Sequence, residues 1–230
     1  MSDAMRDAMR DAMSDAMSDA MSDAKRAADP FVFATVQYES GDWDSAPMLP
    51  ANVIDSIARY TSLPVRPQGV TVPLSSEAVF AYPLLFLTGH LPVRFTTREA
   101  DVLGTYLARG GLLFVDDHNH DVDGAFHQTV REEIRRVSGP LVPLPNTHEL
   151  YRSFFVFDNG PPTTSHEMNG WGDNLVHEQL DAVLRNGRIT VLYSSKDYSS
   201  EWSFHPDNKR FLSVDNTKFA VNLVVYALTR

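Results

Sequence analysis

The chain has 230 residues, 43% of them hydrophobic, a formal charge of −10 and no cysteine. That length holds one sizeable core, the lack of cysteine excludes disulfides, thiolate nucleophiles and Cys-ligated zinc, and the acidic balance without a Lys/Arg cluster excludes a nucleic-acid-binding surface. No window approaches the roughly eighteen consecutive apolar residues of a membrane span, and the N-terminus has no signal-peptide core, so a cytoplasmic protein without a membrane partner is expected.

Residues 1–29 form a zone of Met-Ser-Asp-Ala or Met-Arg-Asp-Ala repeats, with Met1, Met5, Met9, Met13, Met17 and Met21 one per repeat. A period of four lies close to the helical period, so the Met residues trace a slowly drifting stripe. The tail reads either as a helical or disordered solvated repeat or as a Met-lined helix that docks on a protein partner.

The α/β domain occupies 30–230. Phe31–Tyr38 is apolar and β-branched, a first strand, ending in the loop Glu39-Ser-Gly-Asp-Trp43, a second wall for a site. Ala51–Tyr60 carries Val53, Ile54, Ile57 and Ala58 at amphipathic helical spacing. Gly69-Val-Thr-Val72 lies in a Pro-bounded segment and belongs at a sheet edge. Pro83–His90 is a buried strand. Thr96-Thr-Arg-Glu99 forms a capping box, and the helix it opens buries Ala100, Leu103, Tyr106 and Leu107 before Gly110-Gly111. Leu112-Leu-Phe-Val115 is a strand buried on both faces. Strand, helix, glycine turn and strand make a βαβ unit, so the two strands pair in parallel and their polar ends share one edge.

Asp121 or Asp123 is expected to cap the next helix, with Phe126, Val130, Ile134 and Val137 on its buried stripe. Leu141–Pro145 is extended, Phe154–Phe157 reads as a strand, and 158–187 as a polar lid-like excursion. Arg188–Tyr193 is a buried strand, and a final helix capped by Asp215 buries Phe219, Leu223 and Tyr226.

Ligands in open α/β sheets sit beyond the carboxyl ends of the strands, where this chain places Asp116-Asp-His-Asn-His120 and Gly89-His90. In an extended backbone His118 and His120 point the same way, and His90 arrives from the neighbouring strand. These three imidazoles are read as ligands of a divalent metal, zinc or iron, with open positions for water or substrate. Asp116, Asp117 and His148 complete the site as catalytic groups, ligands or partners that fix a His tautomer. The expected function is a metal-dependent enzyme, a hydrolase or a non-haem iron oxygenase, acting on a small-molecule substrate. A second reading dispenses with the metal: His90 or His118 acts as general base oriented by Asp116 or Asp117, with Ser194 or Ser195 as nucleophile, although no Gly-x-Ser-x-Gly elbow frames either serine. A third makes the chain a non-catalytic adaptor whose Met tail docks on a partner. His127, His166, His177 and His205 are assigned no ligand role, and Glu201-Trp202 is a further wall for the crevice.

Phe31–Trp43, Tyr82–His90, Gly110–His118, Leu144–His148 and Asn222–Tyr226 together resemble the DUF4159 family, a bacterial group of unassigned function. The resemblance implies a flavodoxin-like three-layer sandwich with a mainly parallel sheet, similar to class I glutamine amidotransferases and ThuA-like proteins. Amidotransferase chemistry is not implied, because that family's nucleophile is Cys.

Overall fold

The apolar runs settle into a seven-stranded sheet in the computed structural model, which describes residues 29–204 and 213–230. In chain order the elements are β1 Ala34–Gln37, α1 Leu49–Tyr60, β2 Val70–Pro73, β3 Leu84–Gly89, α2 Thr97–Ala108, β4 Leu112–Asp117, α3 Ala125–Ser138, β5 Val142–Pro143, α4 Ser165–Asn169, β6 Asp181–Arg185, β7 Arg188–Ser194, α5 Tyr198–Ser203 and α6 Ser213–Thr229. The sheet order is β2-β1-β3-β4-β7-β6-β5. The first five strands of that order are mutually parallel, and β6 runs antiparallel to both its neighbours. No helix among the described residues is long and apolar enough to cross a membrane.

Alternation along the strands divides the core in two. Leu84, Phe86, Leu112 and Phe114 pack against Leu49, Val53 and Ile57 of α1, Trp202 of α5 and Phe219 and Leu223 of α6. Leu85, Leu87, Leu113 and Val115 face Leu103 and Tyr106 of α2 and Phe126, Val130 and Ile134 of α3. Both faces of the sheet are therefore covered by helices, which is why every residue of β3 and β4 is buried. The expected βαβ unit is present: β3 pairs in parallel with β4 in a register that brings Gly89 level with Asp117. Its capping box also forms, with Thr96 N donating to Glu99 Oε2 at 2.9 Å and Glu99 N to Thr96 Oγ1 at 3.3 Å.

Four expectations fail locally. Helix α3 is preceded by Gly124 at its N-cap with no side-chain cap, because Asp121 Oδ1 is committed to Asp123 N, 3.0 Å away, in the preceding turn. Asp215 sits inside the first turn of α6 rather than capping it. Phe154–Phe157 is not a strand: Phe155 N donates to Asn222 Oδ1 at 2.7 Å, so its backbone is satisfied by a side chain. Residues 158–187 are only partly excursion, since they contain α4 and the whole of β6. β6 turns back into β7 through Asn186 and Gly187, both at positive φ (53° and 78°), the geometry that matches the twist of a two-residue hairpin. The Met-rich tail, apart from Asp29, and His205 lie outside the described residues.

Candidate functional site

The five parallel strands deliver five loops to one edge, and two of them, after β1 and β3, flank the place where the strand order reverses, the usual ligand position in such sheets. Asp42 in the first loop meets His90 in the second. Its Oδ1 accepts from the amides of His90 and Leu91 at 2.8 and 2.9 Å, and its Oδ2 lies 2.7 Å from His90 Nδ1. Burial pushes the Asp42 carboxyl upward, but these donors outweigh it and hold the group below the ordinary carboxylate range. An ionised carboxylate only accepts, so His90 Nδ1 donates to it, and in the neutral imidazole the lone pair lies on Nε2. Gly89 makes the approach possible: a Cβ there would stand 2.5 Å from Tyr38 Oη and 2.9 Å from Asp42 Oδ1.

The ring of His118 stacks on that of His90, with centroids 4.3 Å apart and planes 24° apart. His118 Nδ1 meets Ser45 Oγ at 3.1 Å, and Nε2 lies 3.8 Å from Asp197 Oδ1. Burial lowers the His118 pKa, opposed by Asp197 and reinforced by the neighbouring His90 and His166. Asp197 begins the turn into α5 in a left-handed conformation (φ 58°, ψ 56°) and caps that helix through Ser200 N at 2.9 Å. Its Oδ2 stands 3.0 Å from His166 Nδ1 in an ion-pair contact that lacks hydrogen-bond angles.

Below the imidazoles lie two buried carboxyls. Asp116 Oδ2 accepts from Ser199 N and Oγ, both at 2.7 Å, while Oδ1 has no hydrogen-bond partner. Burial, with Asp197 nearby, pushes its pKa up to about 8. Asp117 Oδ1 accepts from Asn119 N at 2.9 Å and Oδ2 has no partner; burial raises this group to about 7.

The expected alignment of His118 with His120 does not occur. Asp117 uses its side chain to close a turn, and the chain leaves extended geometry, with His120 at φ 50°. His120 is thus carried away from the His90–His118 stack, so the proposed metal set of His90, His118 and His120 is not assembled. Instead His120 is fully buried beneath the 170–177 segment: Nδ1 lies 2.5 Å from Ser195 O, and Nε2 lies 3.1 Å from Leu175 O and 3.4 Å from Asp173 Oδ1. His177 Nε2 reaches Asp173 Oδ2 at 2.9 Å. Among the described residues only His120, Asp173 and His177 bring metal-type ligand atoms of three side chains within 4.8 Å of one another.

His148 is also elsewhere. Its Nδ1 accepts from Leu150 N at 3.1 Å, and its ring packs 5.7 Å from that of Tyr226, whose hydroxyl accepts from Ile189 N at the opposite, amino end of β7. Ser194 is buried and accepts from Lys196 N at 3.0 Å, a turn-forming rather than exposed position. Glu201 accepts from Ser165 N and Trp202 belongs to the core, its Nε1 donating to Asn216 O at 2.8 Å, so neither forms a crevice wall. Sequence reading singled out the 39–43 loop but not Asp42 as the partner of His90. It missed Asp197, Asp173 and the roles of His166 and His177, whose only sequence signals were a polar strand end and the i, i+4 spacing of Asp173 and His177.

The family described as Domain of unknown function (DUF4159) matches residues 32–228. No curated protein matches the chain.

Proposed function

The chain belongs to the DUF4159 family, and from that premise we propose that it is a hydrolase-type enzyme using imidazole–carboxylate acid–base chemistry on a small polar substrate at the β1/β3 crevice. The observation that carries this reading is the stacked His90–His118 pair with the Asp42 carboxylate behind it. Asp42 fixes the His90 tautomer, so Nε2 can take a proton from a water or a substrate hydroxyl, and Asp42 then stabilises the imidazolium. Burial and the neighbouring His90 lower the His118 pKa, so His118 favours its neutral form beside His90. Asp197 lies beside His118, burial holds Asp116 largely protonated at neutral pH, and Asp117, raised to about 7, titrates in the same range. The strand order β2-β1-β3-β4-β7 between two helical layers supports the flavodoxin-like, amidotransferase-like reading of the fold.

The test is turnover of a panel of small esters, amides and phosphoesters by the full chain and by His90→Gln and Asp42→Asn, with circular dichroism as the folding check. A general base contributes about 100-fold or more, so His90→Gln should lose at least that, and Asp42→Asn should lose activity while shifting the pH profile. Full activity in both folded variants refutes the proposal. A wild-type chain that turns over nothing but binds a ligand saturably in this crevice establishes the adaptor reading instead.

A further inference from the structure

We infer that His120, Asp173, His177 and the carbonyl oxygen of Leu175 form a structural zinc site that pins residues 170–177 onto the turn after β4. The inference is independent of the acid–base reading, since none of these groups belongs to the His90–His118 stack.

Two observations converge. The first is spacing. His120 Nε2 lies 3.4 Å from Asp173 Oδ1 and 3.1 Å from Leu175 O, and His177 Nε2 lies 2.9 Å from Asp173 Oδ2. Ligand atoms at about 2.0–2.1 Å from a tetrahedral zinc are separated by about 3.3 Å, and the ligand atoms of His120, Asp173 and His177 all lie within 4.8 Å of one another with Leu175 O beside His120 Nε2, near enough for one ion to gather them. The second is orientation. The Ser195 carbonyl lies 2.5 Å from His120 Nδ1 and can only accept, so with an ion bound the ring would keep its proton on Nδ1 and coordinate through Nε2. The backbone carrying His177 is held at both ends of its peptide: its N donates to Glu167 Oε1 at 2.8 Å and its O accepts from Lys196 Nζ at 2.6 Å. Asp173 is held likewise, Oδ1 accepting from Leu175 N at 2.9 Å and Oδ2 from Val122 N at 3.3 Å.

The His120 and Asp173 side chains are almost without exposure, His177 is largely covered, and a main-chain oxygen supplies a fourth donor, the four-donor set of a structural zinc. The backbone confirms how tightly the segment is seated: Asp173 N donates to His120 O at 2.8 Å, and a Cβ on Gly172 would stand 1.9 Å from that same oxygen.

The experiment uses the full chain, purified without an affinity tag, stripped with chelator and dialysed against Zn²⁺ or Co²⁺. One equivalent should be retained, Co²⁺ should show the visible bands of a tetrahedral site, and zinc should slow proteolysis within 170–177 until chelator is added. His177→Gln and Asp173→Asn should weaken binding at least 10-fold, whereas His90→Gln should not. H177C adds a readout that survives any change in activity: the chain has no cysteine of its own, so a Co²⁺–thiolate charge-transfer band arises only if position 177 is a ligand. A folded wild type that retains no equivalent, unchanged affinity in folded His177→Gln, no thiolate band in folded H177C, or an octahedral Co²⁺ spectrum with preference for Fe²⁺ overturns the inference.

Discussion

Asp116→Asn should flatten the stability of the protein against pH. The carboxyl is completely buried at the end of β4, one oxygen tied to Ser199 and the other without a partner, and burial beside Asp197 pushes its pKa up to about 8. In the unfolded chain the same group titrates at about 3.9. Between those values the folded state holds a proton that the unfolded state has released, so stability is greatest below the unfolded pKa and falls as pH rises, levelling off only above the folded value. Each pH unit costs up to about 1.4 kcal/mol per group, and from pH 5 to pH 7 the loss reaches about 3 kcal/mol. The amide of Asn keeps an oxygen for Ser199 N and Oγ and stays uncharged throughout. Any cost of seating its NH₂ is a constant offset, so the informative quantity is the slope. Urea denaturation of wild type and variant at pH 5, 6, 7 and 8 measures it: the variant should gain on wild type with every step to pH 7. Parallel curves would refute the reasoning, because they would mean that Asp116 is ionised in the folded protein and that some group balances it.

Other positions give independent checks. His127, whose Nδ1 meets Tyr193 Oη at 2.7 Å, is depressed to about 4 by burial and by Arg131; a ¹H–¹⁵N NMR titration should find its ring neutral throughout pH 5–8, and a midpoint near 6.5 would contradict that environment. Asn222→Ala strips the side-chain partners of Phe155 O and Phe155 N, bonded at 2.8 and 2.7 Å, and one partner of Leu150 O at 3.0 Å, which keeps Ser153 Oγ at 3.1 Å. Leaving two partly buried backbone groups unpaired should cost about 2 kcal/mol in chemical denaturation, and a loss below about 1 kcal/mol would show that water replaces the amide. Gly172→Ala places a methyl 1.9 Å from the His120 carbonyl at a φ of +63°. It should free the 170–177 segment, read as faster limited proteolysis there; unchanged cleavage would mean that the segment is not seated on His120.

The βαβ unit was legible because it is local: a capping box, a 3.6-residue apolar stripe, two glycines and two apolar runs fix the parallel pairing of β3 with β4, and so the meeting of His90 with His118. His120 was not legible from strand periodicity, because the Asp117 side chain ends the extended geometry one residue after the strand pattern suggests that it continues. The β6–β7 hairpin was legible but overlooked. Asn186-Gly187 between two alternating runs is a strong hairpin signal, yet the polar composition from 158 onward drew the whole stretch into one excursion. Pairings such as Asp42 with His90, or Asp173 with His120, join segments far apart in the chain and leave no periodic trace in a single sequence.

Both clusters hang from one short turn. Ser194 to Asp197 is buried throughout: Ser195 O orients His120, Lys196 Nζ bonds both oxygens of Glu167 and the His177 carbonyl, and Asp197 stands between His118 and His166. Burial lowers the Lys196 pKa and Glu167 opposes the shift, so the ammonium depends on a carboxylate that also completes the capping box of α4. Removing one member of a buried ion pair leaves the other uncompensated, at about 3–5 kcal/mol. A chain assembled for stability alone would fill such a turn with apolar side chains of similar volume at little cost. This one instead retains a buried lysine, a left-handed aspartate and two carboxyls with oxygens left unpaired at the carboxyl edge of its sheet. Buried polar groups held at such expense at the carboxyl edge of the sheet are what the proposed acid–base chemistry requires and what packing does not.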